Sequence, residues 1–314
     1  MSPSHAIKMW EKVVIPIILY GSELCSEMTK QAICELEITQ RYAARRIQGV
    51  DRRSSKATTV LLGLLRMSTR IERSKLTLLN KFLYETEEFI WKKVFDFRIC
   101  QFMVGNTKQK GFVADIFPVL EKYQLEHATN NYLDRIEVVS KPVWKKLIDK
   151  TLRDAENKWW TKITSEGDLT RIGNIHQDVT LCDLWKICNQ NRQYRHCINI
   201  IIRLAILKTD GDVMCKLCNK MCDDMTKHFM LNCIKLFKER DSLYENILNE
   251  IDINLFNDLW NSDEDILIET LLGSQTDLMR PDQISAAEWT SFMCIVSKGL
   301  SEMWTHVTNC FIEV

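Results

Sequence analysis

Five prolines and ten glycines are few for 314 residues, so the chain is poor in the residues that punctuate a fold with frequent turns. Net charge is lacking too: 42 Lys and Arg balance 42 Asp and Glu, and whole-chain electrostatics selects no partner of either sign. No apolar run approaches the roughly 20 residues that cross a bilayer; the most apolar stretch, Val13 to Tyr20, is interrupted by Pro16. The first residues carry no basic start, long apolar run and small-residue cleavage site, which excludes the pattern of a secretory signal. Fixed-period repeats and low-complexity tracts are also missing.

Cysteine, by contrast, is plentiful. Twelve are scattered along a long chain rather than packed into a short one, which fits a reducing compartment better than a disulfide framework. The expectation is a soluble intracellular protein, nuclear or cytoplasmic, with no membrane partner.

Apolar residues recur mostly at helical spacing, so the expected fold is mostly α. Thr29 is placed to cap a helix through Ile33, Leu36, Ala43 and Ile47 that stops at Gly49, with Glu37 four residues ahead of Arg41. Ser54 or Ser55 starts a second helix through Leu61, Leu62 and Leu65, and Thr69 with Glu72 has the form of a capping box for a third. Residues 87–103, rich in Phe and Trp, read as a fourth helix with its aromatics in the core. Between Phe112 and Glu137, Pro118 and the Asn130-Asn131 pair suggest short, loosely joined helices. Ser140 and Pro142 then open a strong helix striped by Trp144, Ile148, Leu152 and Trp159, because proline is tolerated in a first turn. The polar stretch Ser165 to His176 is a linker candidate. Two helices follow it, around Leu181 to Cys188 and Tyr194 to Leu207. The expected division is a basic, thumb-like helical subdomain over 1–104, a helical connector over 105–207, a small CCHC zinc module over 208–240, and an acidic helical tail over 241–314.

Charge is uneven along this order. Arg41 to Lys75 holds ten basic residues against Asp51 and Glu72, whereas Glu239 to Glu288 is dominated by acids. Arginine suits forked contacts with phosphate, so Arg41, Arg45, Arg46, Arg52 and Arg53 are candidate backbone contacts for RNA or DNA. The bland reading is a solvated helix face, or arginines paired with acids elsewhere in the fold.

The most specific signal is Cys215-x2-Cys218 followed by His228-x4-Cys233. Zn2+ takes four thiolate or imidazole ligands in a tetrahedron, and two close pairs supply them. Lys208 to Gly211 is a turn signal just upstream. With all four positions filled by protein, such a site is structural. Cys222 lies between the pairs, so a cage that uses it stays open. Lys216, Lys220, Lys227, Lys235 and Lys238 surround the ligands and could meet phosphates, diluted by Asp212, Asp223 and Asp224. Weaker signals are Asp223-Asp224 as a polymerase-like acid pair and Asp282 with Glu288 as Mg2+-holding carboxylates of a nuclease. His306 with Cys310 offers two ligands and no site, and Cys182, Cys188 and Cys197 read as buried helix residues.

Several of these stretches together resemble a known family. Ile15 to Glu23, which contains Tyr20-Gly21-Ser22-Glu23, then Leu36-Glu37, Arg45 to Gly49 and Leu61 to Gly63 resemble the region just after the polymerase palm of non-LTR (LINE-type) retrotransposon reverse transcriptases. Cys215, Cys218, His228 and Cys233 resemble their C-terminal zinc-binding region, and Leu271 to Gly273 their tail. The resemblance implies contact with template RNA or target DNA by thumb-like helices and by the zinc region. The chain departs from the family at Cys25, where tryptophan is usual, and in lacking the aromatic-x-Asp-Asp turn that holds catalytic metal. The expected function is therefore a non-catalytic nucleic-acid-binding part of such a polyprotein, not an enzyme. The alternative is a zinc-stabilised helical scaffold for a protein partner.

Overall fold

The computed structural model describes residues 2–24, 28–50, 55–86, 88–105, 110–134, 139–165, 169–207, 213–275, 279 and 284–311. Helices of eight residues or more are labelled α1 Lys30–Gln48, α2 Met67–Tyr84, α3 Ile90–Met103, α4 Phe112–Tyr123, α5 Lys141–Ser165 and α6 Asp183–Gln190. The series continues with α7 Arg195–Ile206, α8 Phe237–Glu250, α9 Ile253–Trp260, α10 Glu264–Leu271 and α11 Ala286–Phe311. Among the described residues the only named strands are β1 Val213–Met214 and β2 Met221–Cys222, paired antiparallel. The fold is mostly α, as the helical spacing predicts.

The chain divides into two units that interleave in sequence: residues 8–40 with 65–159, and residues 1–7, 41–64 and 160–314. In the first, α2 to α5 bury Leu76, Phe95, Ile99, Ile116, Trp144 and Leu152 in one core. Phe82 stacks on Phe95 at 4.8 Å between ring centroids, and the Trp144 indole donates to the Leu76 carbonyl at 2.9 Å. Pro142 stands in the first turn of α5, as expected.

The start of α2 differs from its expected form. The helix begins at Met67, not at a Thr69 cap, and carboxylates from distant sequence meet its first amides. Glu37 Oε1 accepts from the amides of Met67 (2.7 Å) and Ser68 (3.3 Å), rather than serving an i,i+4 pair with Arg41. Glu156 accepts from the Arg66 amide (3.2 Å), the Arg66 Nε (2.8 Å) and the Thr69 hydroxyl (2.6 Å). Two anions at the positive end of a helix dipole replace the local capping box. Glu72, freed from capping, accepts from Lys122 and Tyr123.

Other expectations shift as well. The second helix stops at Val60, because Leu62 bridges to Leu181 and Gly63 turns the chain with φ +68. Pro118 lies inside α4 instead of ending it, and that helix runs twelve residues. Helix α3 turns Phe95 inward but leaves Phe97 exposed, so its aromatics are only in part core.

In the second unit, α7 and α8 pack on α11, and α6 lies against α7. Gln48 at the end of α1 is fully buried; its amide donates to Thr58 O (2.6 Å) and its oxygen accepts from the Trp185 indole (3.1 Å). Gly299 lets α8 come close, since a Cβ there would sit 2.6 Å from a Leu243 methyl. Cys182 and Cys188 are buried as expected, and burial pushes their thiols up, to about 12 and about 11.

Candidate metal centre

The ribbon β1–β2 and the turn inside it bring the first pair of ligands together. The Cys215 amide donates to Lys220 O at 2.8 Å, and the Asn219 amide to Cys215 O at 2.8 Å. This wraps residues 215–220 into a tight knuckle whose sharpest residue, Asn219, has φ +58, a conformation Asn tolerates better than most.

The second pair depends on a different device. Asp224 caps the short helix Met225–Lys227 by accepting from the Lys227 amide at 3.0 Å. The chain then widens into a π turn over His228–Asn232, closed by the Cys233 amide on His228 O at 2.7 Å. An i to i+5 bond sets His228 and Cys233 side by side, which is the structural meaning of the x4 spacing. Phe229 and Met230, between them, are buried, and Phe229 meets the Trp304 ring edge-on at 5.8 Å.

The ligand atoms of Cys215, Cys218, His228 and Cys233 all lie within 4.8 Å of one another, and the four could hold a metal ion. Cys215 Sγ is 4.0 Å from Cys233 Sγ, and Cys218 Sγ 3.2 Å from His228 Nε2. Cys222 is drawn away: its thiol donates to Val213 O at 3.0 Å across the ribbon. Burial, then the positive charges of Lys220 and Arg240, hold the His228 imidazole below its usual value, which favours the neutral ligand form. Burial, then the neighbouring thiols Cys215 and Cys218, push Cys233 up to about 11. A cation among these sulfurs reverses that repulsion. Arg240 donates to Cys233 O at 3.2 Å, a support that no local spacing announces.

The lysines sort into two groups. Lys227 pairs with Glu264 at 2.5 Å, whereas Lys216, Lys220, Lys235 and Lys238 are exposed and make no ion pair among the described residues. Of the acids expected to dilute them, Asp224 is taken by Arg171 and Asp223 is exposed. Asp212 lies outside the described residues, as does the Lys208 to Gly211 turn.

The arginine candidates are placed less simply. Arg41, Arg45 and Arg46 lie toward the C-terminal end of α1, where a positive charge suits the helix dipole. The guanidinium groups of Arg45 and Arg46 lie 6.0 and 5.6 Å from the Tyr42 ring centroid, and Arg46 Nε donates to the Tyr42 hydroxyl at 3.2 Å. Arg52 and Arg53 lie outside the described residues. Farther along the basic run, Arg66, Arg70, Arg73 and Lys75 pair with Glu156, Glu11, Asp149 and Asp115, acids that the run itself lacks.

The weaker signals find other employment. Glu288 and Ser285 cap α11 reciprocally, the Ser285 amide donating to Glu288 at 2.9 Å and the Glu288 amide to Ser285 Oγ at 3.2 Å. Asp282 lies outside the described residues. His306 sits 3.2 Å from Glu239. Comparison with protein-family models, curated proteins and solved structures finds no match to the chain.

Proposed function

We propose that the chain is a non-catalytic nucleic-acid-binding region organised by a structural zinc ion, of the kind its resemblance to non-LTR reverse transcriptases implies. The donor set supports zinc. Three thiols and one imidazole are soft and borderline ligands that select it over calcium or magnesium. The separations support it as well: a tetrahedron at ordinary Zn–S and Zn–N lengths has edges of about 3.8 Å between sulfurs and about 3.6 Å between sulfur and nitrogen. The 4.0 and 3.2 Å separations bracket these edges. A bound zinc would supply charge neutralisation and a rigid cross-link, with no position left for substrate.

The observation that carries nucleic-acid binding is the set of four exposed lysines on the knuckle and just past Cys233 that make no ion pair among the described residues. Polyanions bind such sites by releasing counterions. Exposed Phe237 and Met221 beside them offer surfaces on which unpaired bases stack, which favours a single strand. Arg41, Arg45 and Arg46 add a second contact region.

Metal analysis tests the first half: one zinc per chain is expected, and loss of zinc in Cys218→Ala. Fluorescence anisotropy with single-stranded RNA and DNA tests the second. Lys216→Glu, Lys220→Glu, Lys235→Glu and Lys238→Glu together should weaken binding more than tenfold and flatten its salt dependence. Arg45→Glu with Arg46→Glu should weaken it less. Absence of binding at low salt by the zinc-loaded protein overturns the proposal in favour of the scaffold reading. A specific observation supports that rival, since Val213, Met214, Met221, Ile234 and Phe237 are all exposed apolar residues around the knuckle.

A further inference from the structure

The basic run divides at Leu64. Past it, Arg66, Arg70 and Arg73 pair with distant acids; before it, Arg41, Arg45 and Arg46 make no ion pair among the described residues. The fold adds further cations to that earlier half. Residues 41–48 at the end of α1 and the whole of α7 belong to one unit, and α7 lays a polar stripe under the last turn of α1. Arg195 donates to Ile47 O at 3.1 Å, Asn199 to Gly49 O at 3.1 Å and Arg203 to the same oxygen at 2.9 Å, bonds that span 148 to 154 residues of sequence. Arg203 Nε also donates to Asn199 Oδ1 at 3.2 Å. Gly49 permits this approach, since its φ is +69 and a Cβ there would lie 2.7 Å from the Asn199 amide nitrogen. Arg192 stands one turn before Arg195, in the short 3-10 turn Arg192–Tyr194; it is exposed and pairs with no acid among the described residues.

We propose that the two groups of arginines form one site for the backbone phosphates of a nucleic acid, Arg45 and Arg46 coming from α1 and Arg192, Arg195 and Arg203 from α7. The proposal rests on the nucleic-acid reading above and adds α7 to it. Three observations carry it. The first is the lack of counter-charge: residues 41–50 contain no acid, and Asp183, the one acid in 183–206, is engaged by Lys186 at 2.5 Å. Like charges gathered without acids repel one another, and a polyanion relieves that repulsion while releasing its own counterions. The second is that capping leaves donors over. The last carbonyls of α1 take some of the N–H groups of Arg195 and Arg203, as cations at a helix C-terminus do. Each guanidinium has five such donors, and the capping does not use Arg45, Arg46 or Arg192 at all. A guanidinium already fixed by carbonyls loses less freedom when its remaining fork meets a phosphate. The third is Tyr42, half exposed beside the guanidinium groups of Arg45 and Arg46, which offers a ring on which a base stacks.

Salt-dependent fluorescence anisotropy of the full, zinc-loaded chain with a labelled single-stranded 20-mer tests the proposal. Arg192→Ala is the informative variant, because that side chain makes no hydrogen bond or ion pair among the described residues and its loss should leave the circular dichroism melt unchanged. It should weaken binding and lower the slope of log affinity against log salt by about 0.7, the value of one single-strand phosphate contact. Arg45→Ala, Arg46→Ala and Arg192→Ala together should lower the slope by about 2 and the affinity roughly fivefold at moderate salt. If the triple variant binds with the affinity and slope of the wild type while the four knuckle Lys→Glu changes abolish binding, this site is overturned and the nucleic-acid reading stands. If Arg45→Ala with Arg46→Ala weakens binding and Arg192→Ala does not, the contribution of α7 is overturned. A wild-type chain that binds no strand at low salt overturns both.

Discussion

Glu156→Ala is the substitution that most directly tests how the helical core of residues 8–40 and 65–159 is held. The carboxylate is 1 % exposed and accepts three hydrogen bonds, from the Arg66 amide, the Arg66 guanidinium and the Thr69 hydroxyl. Truncation takes the Glu156 acceptor from the Thr69 hydroxyl, itself fully buried, and opens the first turn of α2. Arg66 suffers less: it is 29 % exposed and its guanidinium lies 4.4 Å from the Trp159 ring centroid, so it keeps both water and a stacking partner. Removing one member of a buried charged pair costs about 3–5 kcal/mol, and Arg66's partial exposure points to the lower end. Glu156→Gln keeps the volume and one acceptor but turns an amide N–H toward donors, for about 1–3 kcal/mol. Urea unfolding followed by tryptophan fluorescence should rank wild type above Gln above Ala. If Glu156→Ala lies within 1 kcal/mol of wild type, the anion is not what holds α2, and the capping argument fails.

The knuckle offers a second test. Structural zinc contributes on the order of 10 kcal/mol to folding its segment. Chelation should therefore abolish amide-exchange protection across residues 213–236 while α2 to α5 keep theirs; retained protection would show that Phe229 and Met230 suffice as anchors. Gly63→Ala should cost at least about 2 kcal/mol, because its φ is +68 and a Cβ would lie 2.8 Å from the backbone at Thr180 and Leu181. An unchanged melting temperature would refute that tightness. Burial holds the Glu37 carboxyl above its usual value, against the Met67 and Ser68 amides that favour the anion. The folded state therefore binds the proton more tightly than the unfolded one, and this group adds stability as pH falls from neutrality toward 4.5. Glu37→Gln should remove that slope from the urea midpoints between pH 5 and 7; an identical slope in both proteins would contradict it.

The sequence by itself determined the helical character, several helix positions and the membership of the metal cluster. These are readable because they are local: a period of 3.6 residues, a proline in a first turn, and ligand pairs whose spacing matches one knuckle and one π turn. Pairing left a cage through Cys222 open, and it is the ribbon bond from that thiol to Val213 O that turns it aside. What only the tertiary structure decided concerns charges whose partners come from far away. Glu156 continues the stripe of Trp144, Ile148 and Leu152 by one helical step, where the pattern asks for an apolar residue. It is buried there because α2 presents Arg66 and Thr69 to it, 90 and 87 residues distant. The same holds for the basic run. Counted along the chain it holds only Asp51 and Glu72, yet Glu11, Asp115, Asp149 and Glu156 reach four of its basic members in space. Periodicity states which side chains share a face of one helix; it is silent on which other helix supplies the counter-charge, and Coulomb attraction depends on distance in space and the local dielectric, not on separation along the chain.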